Sequence, residues 1–141
     1  MIVPATLAHI RALLPRLRRR DVEGAVKKPR HLLNELYRGS VDCRAAIIDG
    51  QVMAVWGLFG SLVSSEAHPW IFAAAETERM PHTFYRLARV EIARMLETRT
   101  RLVAMCKDDY LHSVRFWSML GFTVGEPVAN GYRHIVKERH G

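Results

Sequence analysis

The chain has 141 residues, of which 49% are apolar and 25% are charged, a composition typical of a soluble globular protein. This length predicts a single domain, residues 1–141. No apolar run approaches the roughly 18 residues that a membrane helix needs. Lys and Arg number 21 against 14 Asp and Glu, giving a net charge of +7, and this balance favours acidic partners without specifying one.

Cysteine usage and the first residues predict a protein of the cytosol, or one packaged from it. Cys43 and Cys106 lie in or beside apolar runs and belong to no CxxC motif, so we expect reduced thiols. Whether the two are close together is left open. No basic and then apolar signal segment opens the chain, because Pro4 interrupts the short run Ile2-Val3. The scattered histidines show no metal-ligand spacing, so no metal is predicted.

The first third of the chain is predicted to be helical. Thr6 can cap a helix that runs to about Arg20, with Pro15 expected to kink it or end its first half. A second helix is expected from Pro29, in its first turn, to Gly39, just past its end.

A hairpin and a further strand follow. Asp49-Gly50 lies between the apolar runs Arg44–Ile48 and Val52–Phe59, which is the strongest hairpin signal in the chain. Ser61–His68 is predicted to be a loop. Pro69–Ala75 is predicted to be a strand with proline at its entrance, where no ladder donor is lost.

Hydrophobic periodicity and turn residues define the last five elements. These are a helix from Pro81 to about Thr98, a buried strand Arg101–Cys106, a helix Tyr110–Leu120 that Gly121 ends, and the strands Phe122–Val124 and Tyr132–Lys137. Asp108-Asp109 is a plausible cap of the second of these helices, and turns are predicted at Gly125-Glu126-Pro127 and Asn130-Gly131. This element order predicts an α/β protein with a mixed sheet and helices on both faces.

One stretch narrows the fold further. Ser113–Phe122 reads as an amphipathic helix with the aromatic pair Phe116-Trp117, three residues, and then Gly121-Phe122. It resembles the closing unit of the GNAT fold, the architecture of acetyl-CoA-dependent N-acyltransferases. The element order resembles that fold across essentially the whole chain, and the resemblance implies a GNAT-like mixed central sheet.

The resemblance also locates a cofactor site, at the start of the long helix. There the family has Gln or Arg, two residues, Gly, one residue, and Gly or Ala, and backbone N–H groups hold a pyrophosphate. This chain has Arg79-Met80-Pro81-His82-Thr83-Phe84, so Arg79 matches while His82 and Phe84 replace small residues. Pro81 also removes an N–H donor. We expect these residues to crowd out a diphosphate, so no cofactor is predicted.

The catalytic acid of the family is missing as well. In the family a tyrosine four residues before the final glycine protonates the departing thiolate. Trp117 stands there, and an indole cannot exchange a proton near neutral pH. The asparagine often found at the start of this helix corresponds to Tyr110. The sequence therefore predicts a GNAT scaffold that has lost acetyl transfer.

Local phrases resemble a narrower group. Small GNAT-like proteins of tailed phages, including the internal virion protein A group, have segments similar to His68–Phe72, Phe84–Arg89, Ser113–Trp117, Leu120–Pro127 and Arg18-Arg19-Arg20-Asp21. This resemblance implies a non-catalytic structural or docking component of a virion, assembled in the host cytoplasm. Its implied partners are other phage structural proteins and, through an Arg-rich surface, packaged DNA, with oligomerisation in the particle possible.

Two alternatives stay open. A divergent acetyl-CoA-dependent N-acyltransferase would have to draw its residues from a small set. Cofactor binding would fall to Arg79, His82 and Arg86, the base would be Glu76 or Glu78, and the acid would be Tyr85 or Tyr110. Non-specific nucleic-acid binding would use Arg11, Arg18–Arg20 and the arginines of the long helix. It ranks third, because the charges are spread over many segments.

Overall fold

The computed structural model describes residues 1–23, 28–60, 65–107, 111–128 and 131–139. The helices are α1 (Leu7–Leu13), α2 (Arg19–Glu23), α3 (Pro29–Gly39), α4 (Pro81–Met95) and α5 (Leu111–Met119). The strands are β1 (Ile2–Pro4), β2 (Ser40–Ile48), β3 (Gln51–Phe59), β4 (Glu66–Ala73), β5 (Arg101–Lys107), β6 (Thr123–Pro127) and β7 (Tyr132–Glu138). Two 3-10 turns, Leu14–Arg16 and Ala75–Arg79, precede α2 and α4.

These elements form two compact units. The first comprises Met1–Leu62 and Pro69–Pro81, and the second comprises Val63–His68 and His82–Gly141. Strand β4 contributes residues to both. The prediction of one domain over residues 1–141 stays a prediction.

The first unit is built on an antiparallel ladder of β1, β2 and β3. Asp49 and Gly50 join β2 to β3 with φ values of 51° and 76°, and two positive φ values are what a two-residue hairpin turn of matching twist requires. The predicted hairpin is therefore confirmed. The core of the first unit contains fully buried aliphatic side chains from α1, α3 and β3, among them Leu13, Leu33 and Val55.

Pro15 ends the first half of the predicted N-terminal helix, which was one of its two predicted effects. Thr6 caps it as expected, in a reciprocal pair with His9, but α1 ends at Leu13 rather than near Arg20. Pro15 explains this, because a residue without an N–H cannot continue the helical ladder and the chain tightens into a 3-10 turn. The strand β1 was not predicted, since three residues show no period.

The second unit contains the remaining ladder. Strand β5 pairs with β7 and β7 pairs with β6, both antiparallel, while Glu66 and Ala67 of β4 pair parallel with Arg101 and Leu102. Leu102 and Ile135 are fully buried at its centre.

Three predicted boundaries in the second half of the chain were wrong. Strand β4 begins at Glu66, so the predicted loop Ser61–His68 is wrong over its last three residues, and Pro69 lies inside the strand and not at its entrance. Helix α4 ends at Met95 rather than Thr98. The predicted turn Gly125-Glu126-Pro127 lies within β6, and the pairing of β6 with β7 shifts register between Val124 and Pro127.

The fold class predicted from the sequence is confirmed. The hydrogen-bonded strand order is β1-β2-β3-β4-β5-β7-β6, a seven-stranded mixed sheet flanked by helices. Asp108, Asp109, Tyr110 and Asn130 lie outside the described residues. None of the described helices is long and apolar enough to cross a membrane.

Candidate functional site

The segment that leads into α4 is held by its own polar side chains. Thr77 is buried and its hydroxyl donates to the Ala74 carbonyl at 2.7 Å. The Glu76 carboxylate accepts a hydrogen bond from Arg16 at 3.1 Å. Its own backbone N–H and then the Arg16 guanidinium lower the pKa of Glu76. Glu76, a candidate base, is therefore held as a carboxylate in an ion pair within the first unit.

The other candidate residues near the start of α4 are open to solvent. Glu78 and Arg79, at the end of the 3-10 turn, are exposed. His82 and Arg86, on the first two turns of α4, are exposed as well. Each of these side chains is accessible, and their candidate roles stay predictions.

Phe84 belongs to a cluster of rings in the second unit. Its ring lies 5.3 Å from that of Phe116, Phe116 lies 5.7 Å from Trp117, and Trp117 lies 4.9 Å from Phe122, the distances joining ring centroids. We call these four residues the aromatic cluster. The last two pairs meet edge to face, the geometry that the charge distribution of aromatic rings favours.

The turn after α5 explains why Trp117 is in this cluster. Gly121 has a φ of 92°, a left-handed conformation that glycine adopts without strain. The N–H of Phe122 donates to the Trp117 carbonyl at 3.1 Å and the N–H of Gly121 donates to the Ser118 carbonyl at 3.0 Å. These two bonds define a Schellman motif, in which the residue after the glycine packs on the residue five positions earlier. Trp117 and Phe122 are that pair.

Tyr85, a candidate acid, has its hydroxyl engaged. The O–H donates to the Met119 carbonyl at the end of α5, at 3.0 Å. It thereby satisfies one of the carbonyls that a helix end leaves without an intrahelical partner. Tyr110, the other candidate acid, lies outside the described residues.

Neither a disulfide nor a metal-binding cluster is found among the described residues. Cys43 and Cys106 lie in the first and second unit respectively, and neither is in a disulfide. Among the described residues, no group of three or more His, Cys, Asp or Glu side chains is placed to hold a metal ion.

The sequence reasoning missed the link between Phe84 and Trp117. Each residue stood out as a departure from the GNAT pattern, yet the structure connects the two through Phe116. The sequence did carry a signal for the contact between Trp117 and Phe122. Gly121 stands just before Phe122, and this spacing is the signature of the Schellman contact.

Known structures share this architecture. An N-acetyltransferase from Staphylococcus aureus Mu50 matches with a TM-score of 0.72 and 13% identity over 99% of this chain and 98% of that chain. A GNAT family acetyltransferase from Elizabethkingia anophelis with acetyl-CoA bound matches with a TM-score of 0.69 and 14% identity over 98% and 97%. A ribosomal-protein-alanine N-acetyltransferase from Brucella melitensis matches with a TM-score of 0.67 and 18% identity over 98% and 99%.

The chain therefore has the GNAT fold. No protein-family model and no curated protein matches its sequence. At identities below 20% these structures show the fold alone, because one fold hosts many functions.

Proposed function

We propose that this GNAT-fold protein is a non-catalytic structural or docking component, and that it serves in a tailed-phage virion assembled in the host cytoplasm. The observation that carries the first part is the position of Trp117. It stands where the resemblance implies the catalytic tyrosine, and its ring packs on Phe122 in the turn that ends α5.

An indole at this position cannot perform the family's proton transfer. Its N–H donates a hydrogen bond but does not ionise near neutral pH, so a leaving thiolate would receive no proton from it. The edge-to-face contact with Phe122 at 4.9 Å gives the ring a structural role. The Trp117 side chain therefore contributes to packing. A proton donor for the leaving thiolate would have to be another residue, or there is none.

The start of α4 supports the same proposal. Pro81 is its first residue and has no N–H to offer a phosphate. Phe84 stands where the family has a small residue and packs on Phe116. These residues fit a diphosphate poorly, because close backbone approach needs glycines and N–H donors.

The phage assignment depends on the sequence phrases quoted above and on charge. A net charge of +7 favours association with acidic proteins or packaged DNA. Mass spectrometry of density-purified particles tests it. We expect peptides of this chain in the particle at a fixed ratio to the portal protein, and their absence from intact particles would refute the phage role.

Calorimetry with acetyl-CoA tests the absence of cofactor binding. We expect no saturable heat for the wild-type chain at micromolar to millimolar cofactor, and no change for Trp117→Tyr, which restores the phenol without opening the helix start. A variant with His82→Gly and Phe84→Ala serves as the comparison for a less crowded start. Saturable micromolar binding by the wild type would overturn the non-catalytic proposal.

The second candidate is a divergent N-acyltransferase. It is favoured by Arg79, His82 and Arg86, whose side chains are exposed near the start of α4 and could reach an anionic cofactor. This function predicts thermal stabilisation by acetyl-CoA, about 2.7 kcal/mol at a hundredfold excess over the dissociation constant. Loss of that stabilisation in Arg79→Ala, with Arg115→Ala unaffected, would establish it.

A further inference from the structure

None of the described residues that line a groove in the second unit is a candidate catalytic or cofactor-binding residue. The groove has a volume of about 540 Å³ and is open to solvent. One wall follows α4, which contributes Arg89 and Ala93, and Glu97 lies in the turn just after this helix. Arg89 and Ala93 are four residues apart, so they lie on a single helical face.

The floor of the groove is apolar. Ile92 of α4, Leu96 just after α4 and Leu120 just after α5 form it, and each is 6–7% exposed. Ala93 is exposed beside them. Its methyl group leaves room above the floor that a larger side chain would fill. An aliphatic side chain from a partner could therefore be buried here.

Two cations, Lys137 near the end of β7 and Arg139 just after it, also line the groove and are fixed in place. Lys137 donates from Nζ to the Leu120 carbonyl at 2.9 Å, and Arg139 donates from Nε to the Leu96 carbonyl at 2.7 Å. Each caps a helix end, where cations are favoured. An ammonium has three donors and a guanidinium has five, so both keep donors for a ligand after making these bonds.

The charge of the groove selects an anionic ligand. Arg89, Lys137 and Arg139 face a single acid, Glu97. Arg89 is exposed, so its guanidinium can reach the carboxylate of a ligand. The cations held by helix-end carbonyls have already lost much of the side-chain entropy that binding would cost.

We propose that this groove binds an acidic segment of a partner protein, with an aliphatic side chain on the floor and carboxylates on Arg89, Lys137 and Arg139. The open shape favours a peptide, because small-molecule sites usually enclose most of their ligand. This inference deepens the proposed docking role and rests on it for its biological meaning. The binding itself requires only the groove.

Fluorescence anisotropy with a labelled, acetylated peptide Asp-Glu-Leu-Leu-Glu-Asp tests the proposal on the full chain. We expect saturable binding with a dissociation constant of roughly 100 µM, weakening as salt rises. Arg89→Glu and Ala93→Glu should each weaken it about tenfold or more, which corresponds to about 1.4 kcal/mol. Glu97→Lys should tighten it several-fold.

The controls separate this site from general charge attraction. Arg115→Glu makes the same charge change on an exposed position of α5 and should leave binding unchanged. The peptide Lys-Lys-Leu-Leu-Lys-Lys should not bind, and dodecanoate should bind more weakly than the acidic peptide. Equal weakening by Arg115→Glu and Arg89→Glu, tighter binding of dodecanoate, or absence of saturable binding would each overturn the proposal.

Failure here is distinguishable from failure of the proposed function. If acetyl-CoA binds in calorimetry while the acidic peptide also binds at the groove, the non-catalytic role fails and the groove stands. If neither binds, the groove proposal alone is refuted.

Discussion

Both units contain ion pairs and ring contacts, but the most buried pair and the largest ring cluster lie in different units. In the first, Arg18 and Asp21 form a pair whose side chains are 9% and 8% exposed, and Arg16 pairs with the more exposed Glu76. In the second, Phe84 and Trp117 of the aromatic cluster occupy two of the positions at which the GNAT resemblance implies chemistry. Both kinds of residue therefore have structural roles: the Arg18–Asp21 pair helps to order the first unit, which also has the ring pair Trp70–Phe72, and the aromatic cluster helps to order the second, which also has the ion pair Glu91–Arg94.

The largest expected effect comes from breaking the buried pair of the first unit. Asp21 accepts two hydrogen bonds from Arg18, at 3.0 and 2.9 Å, and one from the Ala73 N–H at 2.9 Å. Asp21→Ala should cost about 3–5 kcal/mol of unfolding free energy, because a buried cation loses its carboxylate. Urea denaturation measures it.

The exposed carboxylate of Glu78 supplies the control for Asp21. Glu78→Ala changes the net charge equally and should change the free energy of unfolding by less than about 0.5 kcal/mol. A loss below about 1 kcal/mol for Asp21→Ala would show that ion pairing does not order the first unit.

The second test breaks the aromatic cluster. Trp117→Ala removes the contacts with Phe116 and Phe122 and should cost about 3 kcal/mol, the low end for a large ring because Trp117 is only half-buried. Trp117→Phe keeps a ring at the Schellman turn and should cost about 1 kcal/mol. Equal losses for the two variants would contradict a role in ring packing.

Features that depend on residues adjacent in the chain were predictable from the sequence, and features that depend on distant contacts were not. The hairpin at Asp49-Gly50 and the helix stop at Gly121 were predictable, since both depend on residues adjacent in the chain that accept a positive φ. Strand β1 was not, because its three residues become a strand only by pairing with Arg44–Ala46. In the sequence, Arg18 and Asp21 are visible only as part of the phrase Arg18-Arg19-Arg20-Asp21, and burial by the rest of the unit is what makes their pair important.

At the candidate site, the identities of the unusual residues were predictable from the sequence and their contacts were not. The departures at His82, Phe84 and Trp117 are visible in the sequence, and the structure adds what these residues contact. His82 is exposed while Phe84 and Trp117 are joined through Phe116. The groove of the second unit was not predictable, because α4, the end of α5 and β7 all contribute to it.

The labelling rate of the Cys43 thiol measures how tightly the first unit packs around it. Burial raises the pKa of Cys43 to about 11, from an ordinary value of 9.0. Its Sγ lies so close to Gly57 that a β-carbon there would be 2.8 Å away. The thiolate fraction at pH 8 should fall about a hundredfold, since each pKa unit is a factor of ten, and disulfide-reagent labelling should slow accordingly.

Labelling of a Cys106→Ala variant isolates this thiol. The native rate at pH 8 should be at least about a hundredfold below the rate of the same variant in guanidinium chloride. Rates within tenfold of each other would mean that the strand pair around Cys43 admits solvent.

The smallest expected effect concerns the exposed ion pair of the first unit and depends on pH. The backbone N–H of Glu76 and the Arg16 guanidinium lower the pKa of Glu76 below its ordinary value of 4.5. A lowered carboxylate pKa stabilises the folded chain above that ordinary value, and the stabilisation is lost as the pH falls through the folded pKa. Wild type should therefore melt slightly above Glu76→Gln at pH 7, and the difference should shrink as the pH is lowered below 4.5. A melting difference that is unchanged over this pH range would show that the carboxylate charge contributes nothing, and that the contact with Arg16 orders the 3-10 turn through hydrogen bonding alone.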